Sequence, residues 1–127
     1  MLPEWVVSDI ANEGVPVEIH VEPIQPEGYL VRLKGDLDLR TAGKLQQALD
    51  DLMSAVSVPI IVNLTEVPFM DSTGIAAFLR TRQANHHSGS RLIVVTPSRD
   101  LHRVLQITGV SDMLTLVGTE GEALAAL

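Results

Sequence analysis

Residues 60–79 read Ile60-Ile-Val-Asn-Leu-Thr-Glu-Val-Pro-Phe-Met-Asp-Ser-Thr-Gly-Ile-Ala-Ala-Phe-Leu79. The opening Ile60–Leu64 run is nearly all apolar, which suits a central strand covered on both faces. A short loop with Pro68 follows, and Asp71-Ser72-Thr73-Gly74 then opens a segment in which Ile75, Phe78 and Leu79 recur at helical spacing. A buried strand that runs through a short loop into a helix is the repeating unit of a parallel α/β sheet.

The same grammar extends both ways. Downstream, the helix ends near Gly89, and Leu92-Ile-Val-Val95 is a second continuous apolar strand. Leu101, Val104, Leu105 and Thr108 mark a third helix stopped by Gly109. Leu114–Val117 reads as a last strand, and Thr119-Glu-Gly-Glu122 as a capping box for a final short helix. Upstream, Ala42, Leu45, Leu49, Leu52, Met53 and Val56 form one helical stripe, with Asp38 placed to cap its start and Pro59 beyond its end. Val17–Val21 and Tyr29–Leu33 alternate apolar with polar, and the Pro- and Gly-containing segment 23–28 between them suits a turn. They predict an antiparallel hairpin at the sheet edge.

The resulting order is β-β-α-β-α-β-α-β-α. It predicts a single α/β domain over residues 17–127: a mixed, mostly parallel sheet, an N-terminal antiparallel hairpin and about four helices. Residues 1–16 lack a sustained period and read as an N-terminal extension in which Trp5 and Val6 are suited to dock on the body.

Composition narrows the function. The chain has 127 residues, 46% apolar and 20% charged, the profile of a folded soluble domain. One Trp, one Tyr and two Phe leave the core to aliphatic side chains. A net charge of −7 opposes binding to nucleic acid or to an anionic membrane. There is no cysteine, hence no disulfide and no thiol nucleophile. No signal peptide is apparent, and no apolar run approaches the roughly 18 residues of a membrane helix. The expected location is cytoplasmic.

Ser72 is the residue of greatest interest. At a helix start it sits beside free N–H groups and the positive dipole end, where a phosphate is tolerated. Asp71 and Ser72 are equally ordinary helix caps, so capping alone explains them without any modification. Asp36 and Asp38 invite an acid/base or metal reading. No glycoside-cleaving or metal constellation accompanies them, which leaves a cap and a solvated carboxylate.

Phe69-Met-Asp-Ser-Thr-Gly-Ile-Ala76 resembles the signature of the STAS family of anti-sigma-factor antagonists, and Gly35-Asp-Leu-Asp38 is similar to that family's second motif. The element order matches over roughly residues 17–127. The resemblance implies a non-enzymatic switch protein with no cofactor. It would bind a serine-kinase-type anti-sigma factor, freeing a sigma factor for stress-response transcription. Phosphorylation of Ser72 would switch it off and a PP2C-type phosphatase would restore it. Asp36, Asp38, Asp71, Ser72, Thr73 and Gly74 would form the partner contact. Thr73 stands where the family commonly has Ser, and Ile75 where it commonly has Leu. Gly74→Val is expected to reduce partner binding more than stability.

Rival readings remain. A STAS scaffold or transport-accessory protein would bind partners without a phosphoswitch. A small hydrolase would use Ser72, but position 70 is Met where a nucleophile elbow needs Gly. An aspartic-protease reading fails because Asp-Ser-Thr-Gly is one residue too long and has no second copy. A receiver-type phosphoaspartate at Asp71 would need an acidic cluster, which Gly35–Asp38 could mimic. Adjacent His86 and His87 point apart on a helix, so they read as a solvated end rather than a zinc pair. Arg80, Arg82, Arg99 and Arg103 read as solvated faces or as a basic rim beside Ser72.

Overall fold

The parallel sheet predicted from residues 60–79 is the centre of the fold. The structure, a computed structural model, describes residues 9–10, 17–55, 58–84, 91–96, 98–107 and 114–127. The expectations placed on Trp5, Val6, Val56, His86, His87, Gly89, Thr108 and Gly109 lie outside these residues, as does that on the Arg82 side chain.

Strands β1 (Asp9–Ile10), β2 (Val17–Pro23), β3 (Tyr29–Gly35), β4 (Ile60–Glu66), β5 (Leu92–Val95) and β6 (Thr115–Val117) alternate with helices from β3 onward. The helices are α1 (Ala42–Ala55), α2 (Ser72–Ala84), α3 (Arg99–Ile107) and α4 (Glu120–Ala125). The strands lie in sequence order; β1-β2 and β2-β3 are antiparallel and the rest are parallel. The hairpin is therefore present, but β2 is not the sheet edge. Asp9 and Ile10 pair outside it, opposite His20 and Ile19. Two residues are too short for a period to show, and a strand edge with unpaired N–H and C=O groups takes whatever backbone reaches it.

Register explains the core. Val21, Val31, Val62 and Val94 stand opposite one another across β2 to β5. Their face is covered by α1 through Leu45, Leu49, Leu52 and Met53, by α2 through Ile75 and Phe78, and by α3 through Leu101 and Leu105. The other face carries Leu30, Ile61 and Ile93, covered by Ala123 of α4. Ile60–Leu64 is apolar without alternation because both faces are covered.

Two departures shape the end of β4. Arg32 is opposite Asn63 but Lys34 is opposite Glu66, so β4 has one extra residue there, a bulge. The Asn63 side-chain oxygen accepts the Thr65 N–H at 2.8 Å and also the Thr65 hydroxyl. The capping box of α4 is altered too. Thr119 accepts the Glu122 N–H at 3.1 Å as expected, but the Glu122 carboxylate takes the N–H of Gly118, not that of Thr119.

Candidate functional site

Beyond β4 the chain turns through a Val67 N–H to Leu64 carbonyl bond and reaches Met70, Asp71 and Ser72. β3 ends at Gly35, whose φ of 119° is a left-handed conformation that L side chains rarely adopt. That turn carries Asp36–Asp38 against Phe69–Asp71. The Leu37 N–H donates to the Phe69 carbonyl at 2.9 Å, and the Leu37 carbonyl accepts the Asp71 N–H at 3.1 Å. The two sequence motifs are thus stitched together by main-chain bonds. Leu37 is fully buried, which leaves Asp36 and Asp38 on either side of it partly exposed.

The cap of α2 is Asp71. Its Oδ1 accepts the Thr73 N–H at 2.8 Å, the Gly74 N–H at 3.3 Å, and the Thr73 hydroxyl. The Thr73 hydroxyl, aided by these two N–H groups, holds the Asp71 carboxyl below its ordinary range, against the opposing Asp38 charge. Ser72, the first helical residue, is exposed, and no described residue hydrogen-bonds to its hydroxyl. This alters one expectation. The first-turn N–H groups of Thr73 and Gly74 are not free for a phosphate, because Asp71 already occupies them.

The Asp38 side chain caps the turn that leads into α1. Its carboxylate takes the Arg40 N–H at 2.9 Å and the Arg40 guanidinium at 3.0 Å, four residues before Ala42 opens the helix. The Arg40 hydrogen bond lowers the Asp38 carboxyl below its usual range. The Asp38 carbonyl receives the Ala42 N–H at 2.8 Å, the main-chain bond that accompanies this cap. Thr41 ties the loop together. Its buried hydroxyl donates to the Asp36 carbonyl at 2.7 Å and accepts the Asp38 N–H at 2.9 Å.

Gly74 is buried beneath this loop and is not on the exposed surface. A Cβ there would lie 2.9 Å from the Leu37 carbonyl oxygen and 2.9 Å from Met70 Cγ. The close approach at Gly74 is with this chain's own backbone, so a side chain there should cost stability as well as binding, contrary to the expectation for Gly74→Val.

Sequence reasoning missed Thr41 and Leu39, and read Phe69 only as the start of the signature. Leu39 is 80% exposed and Phe69 50%, and both flank the stitched loops. Leu39 precedes the helical stripe and matches no period, so the sequence carried no signal for it. Of the four arginines considered, Arg80 lines a groove of about 500 Å³ between α1 and α2, which begins at Ser72 and Thr73. Arg99 and Arg103 are exposed on α3.

A second cleft of about 500 Å³ lies beside the start of α4, lined by Arg32, Asn63 and Glu120. These three side chains are already engaged. Glu120 Oε1 accepts Asn63 Nδ2 at 2.8 Å and Arg32 Nε at 3.0 Å, and Arg32 Nη1 also donates to Glu22 at 2.6 Å.

Residues 20–123 match the STAS domain. An anti-sigma-B factor antagonist of Staphylococcus aureus is 33% identical over 99 residues, covering 77% of this chain and 92% of the relative. One from Listeria monocytogenes is 29% identical over 106 residues, covering 84% and 93%. The Bacillus cell fate determinant SpoIIAA in its phosphorylated form superposes with a TM-score of 0.63 at 26% identity, covering 85% of this chain and 97% of that one. No described helix is long and apolar enough to cross a membrane.

Proposed function

The chain belongs to the STAS domain family, and from that premise we propose that it is an anti-sigma-factor antagonist switched at Ser72. Unphosphorylated, it binds a kinase-type anti-sigma factor and frees a sigma factor. In the phosphorylated state it does not bind, and a PP2C-type phosphatase restores it. The antagonists among its relatives support the first part, and the phosphorylated SpoIIAA structure supports the kind of switch.

The observation that carries the reading is the exposed, unbonded Ser72 hydroxyl on a helix start pinned to the Leu37 loop. In the transfer, Ser72 Oγ attacks the γ-phosphorus of ATP held by the partner. The bond to the β-phosphate oxygen breaks, ADP leaves, and the hydroxyl proton goes to a base of the partner. The partner supplies that base because the adjacent Asp71 carboxylate is committed to Thr73 and Gly74. Among the described residues no base and orienter are assembled at Ser72, which supports action by binding.

The test is intact mass and peptide mapping after incubation with the cognate anti-sigma factor and ATP. One phosphate on the peptide containing Ser72 is the expected result. No phosphate, with undiminished binding, would favour a scaffold or transport-accessory role.

A further inference from the structure

We propose that the partner contact extends from Ser72 along the α1/α2 groove, with Leu39 as its apolar anchor and an amphipathic segment of the anti-sigma factor as the occupant. The inference rests on the function proposed above and specifies the surface that recognises the partner.

Three observations carry it. First, Leu39 is 80% exposed at the mouth of the groove that contains Ser72. It is held there: the Asp38 carboxylate binds the Arg40 N–H, and the Thr41 hydroxyl bonds to the residues on either side of buried Leu37. A large apolar side chain on a turn fixed by hydrogen bonds loses little freedom on binding, which is the character of an interface anchor. Second, Gly43 lines the groove in the first turn of α1, and a Cβ added there would meet nothing within 4 Å. Packing within the chain gives no reason for glycine, while helix propensity disfavours it. Its openness, with Ala42 and Ala76 beside it, leaves room for a neighbouring backbone. Third, charge varies along the groove. Asp71 caps the helix at the Ser72 end, its carboxylate holding the Thr73 and Gly74 N–H groups, and Arg80 lines the wall beyond Ala76. A complementary segment puts apolar side chains on Leu39 and over the small residues. It carries a cation toward Asp71 and an anion toward Arg80.

Titration calorimetry of the unphosphorylated proteins against the cognate anti-sigma factor, with thermal melts of each, tests this. Leu39→Ser and Gly43→Gln should each weaken binding at least tenfold. Gly43→Gln should melt no lower than wild type, since the Cβ it adds meets nothing within 4 Å and helix propensity favours glutamine over glycine. Leu124→Ser, which removes an exposed leucine from α4, should bind within twofold of wild type. If wild type binds and is phosphorylated but Leu39→Ser and Gly43→Gln bind within twofold of it, the groove is not the contact and the Ser72 reading stands. If wild type neither binds nor is phosphorylated, both readings fall.

Discussion

Gly74 packs against the backbone of Leu37 so closely that a Cβ would sit 2.9 Å from the Leu37 carbonyl oxygen, the same oxygen that accepts the Asp71 N–H. The helix that presents Ser72 and the loop that presents Asp36, Asp38 and Leu39 therefore share one contact. Gly74→Ala must push the loop away, and overpacking of this kind costs about 1–3 kcal/mol. The expected outcome is a lower urea midpoint together with weaker partner binding, because the two halves of the surface separate. An unchanged midpoint in urea unfolding would show that the loop yields freely.

Asp71 should make the fold acid-sensitive. Its carboxyl is depressed in the folded state, chiefly by the Thr73 hydroxyl bond. A depressed folded value means the stabilisation is present above the ordinary carboxylate pKa and is lost as pH falls through the folded one. Asp71→Asn keeps a capping oxygen without the charge, so it should melt close to wild type at pH 7 and lose less below about pH 4. Asp71→Ala should lower the pH 7 melting temperature by about 3–8 °C. Thermal melts from pH 7 to 2.5 compare the three proteins. A parallel acid dependence in Asp71→Asn and wild type would remove the carboxylate from this role.

The face bearing α4 should be separable from the switch. Burial pushes the Glu120 carboxyl up, but bonds from Asn63 and Arg32 outweigh it and bring it below the usual range. Glu120→Ala strands the amide of Asn63, which is only 8% exposed. With the Arg32 pair largely solvated, the loss should be about 1–2 kcal/mol. Urea unfolding reads that loss, and phosphorylation of Ser72 by the partner should proceed at the wild-type rate. A slower rate would reveal coupling between the two sheet faces.

Most of the fold was legible because periodicity reports burial. The nearly continuous apolar Ile60–Leu64 run and the Leu45, Leu49, Leu52 stripe each state which faces are covered. The site was legible only in its residue types. Asp71 and Ser72 were both possible caps in sequence, and only geometry shows Asp71 taking the N–H groups and leaving Ser72 unbonded. The Leu37–Asp71 stitch joins residues far apart in the chain through backbone atoms, and backbone bonds leave little trace in side-chain pattern. Leu39 was missed for a related reason: a lone apolar residue between Asp38 and Arg40 gives no period to read.

The switch itself yields the last prediction. The neutral Ser72 hydroxyl can enter a close interface at little cost, needing one or two hydrogen bonds. Phosphorylation adds about −1.5 to −2 charges and three acceptor oxygens at that point. In this chain the N–H groups that would greet the anion are already held by Asp71, whose own charge lies beside it. Solvent must therefore satisfy the phosphate, and a partner that closes over it removes that solvent. A loss of about 3 kcal/mol would weaken binding roughly a hundredfold. The fold should survive, since Ser72 is exposed and supports no described side-chain bond. Thr73 should not substitute as acceptor: its hydroxyl is bound to Asp71 and only partly exposed. Ser72→Ala should thus bind and resist phosphorylation, while Ser72→Glu, with one charge, should bind weakly but tighter than the phosphoprotein. Titration calorimetry with wild type, both variants and chemically phosphorylated protein measures the series. Equal affinity of wild type and phosphoprotein would sink the switch, and phosphate transfer to Thr73 in Ser72→Ala would reassign the acceptor.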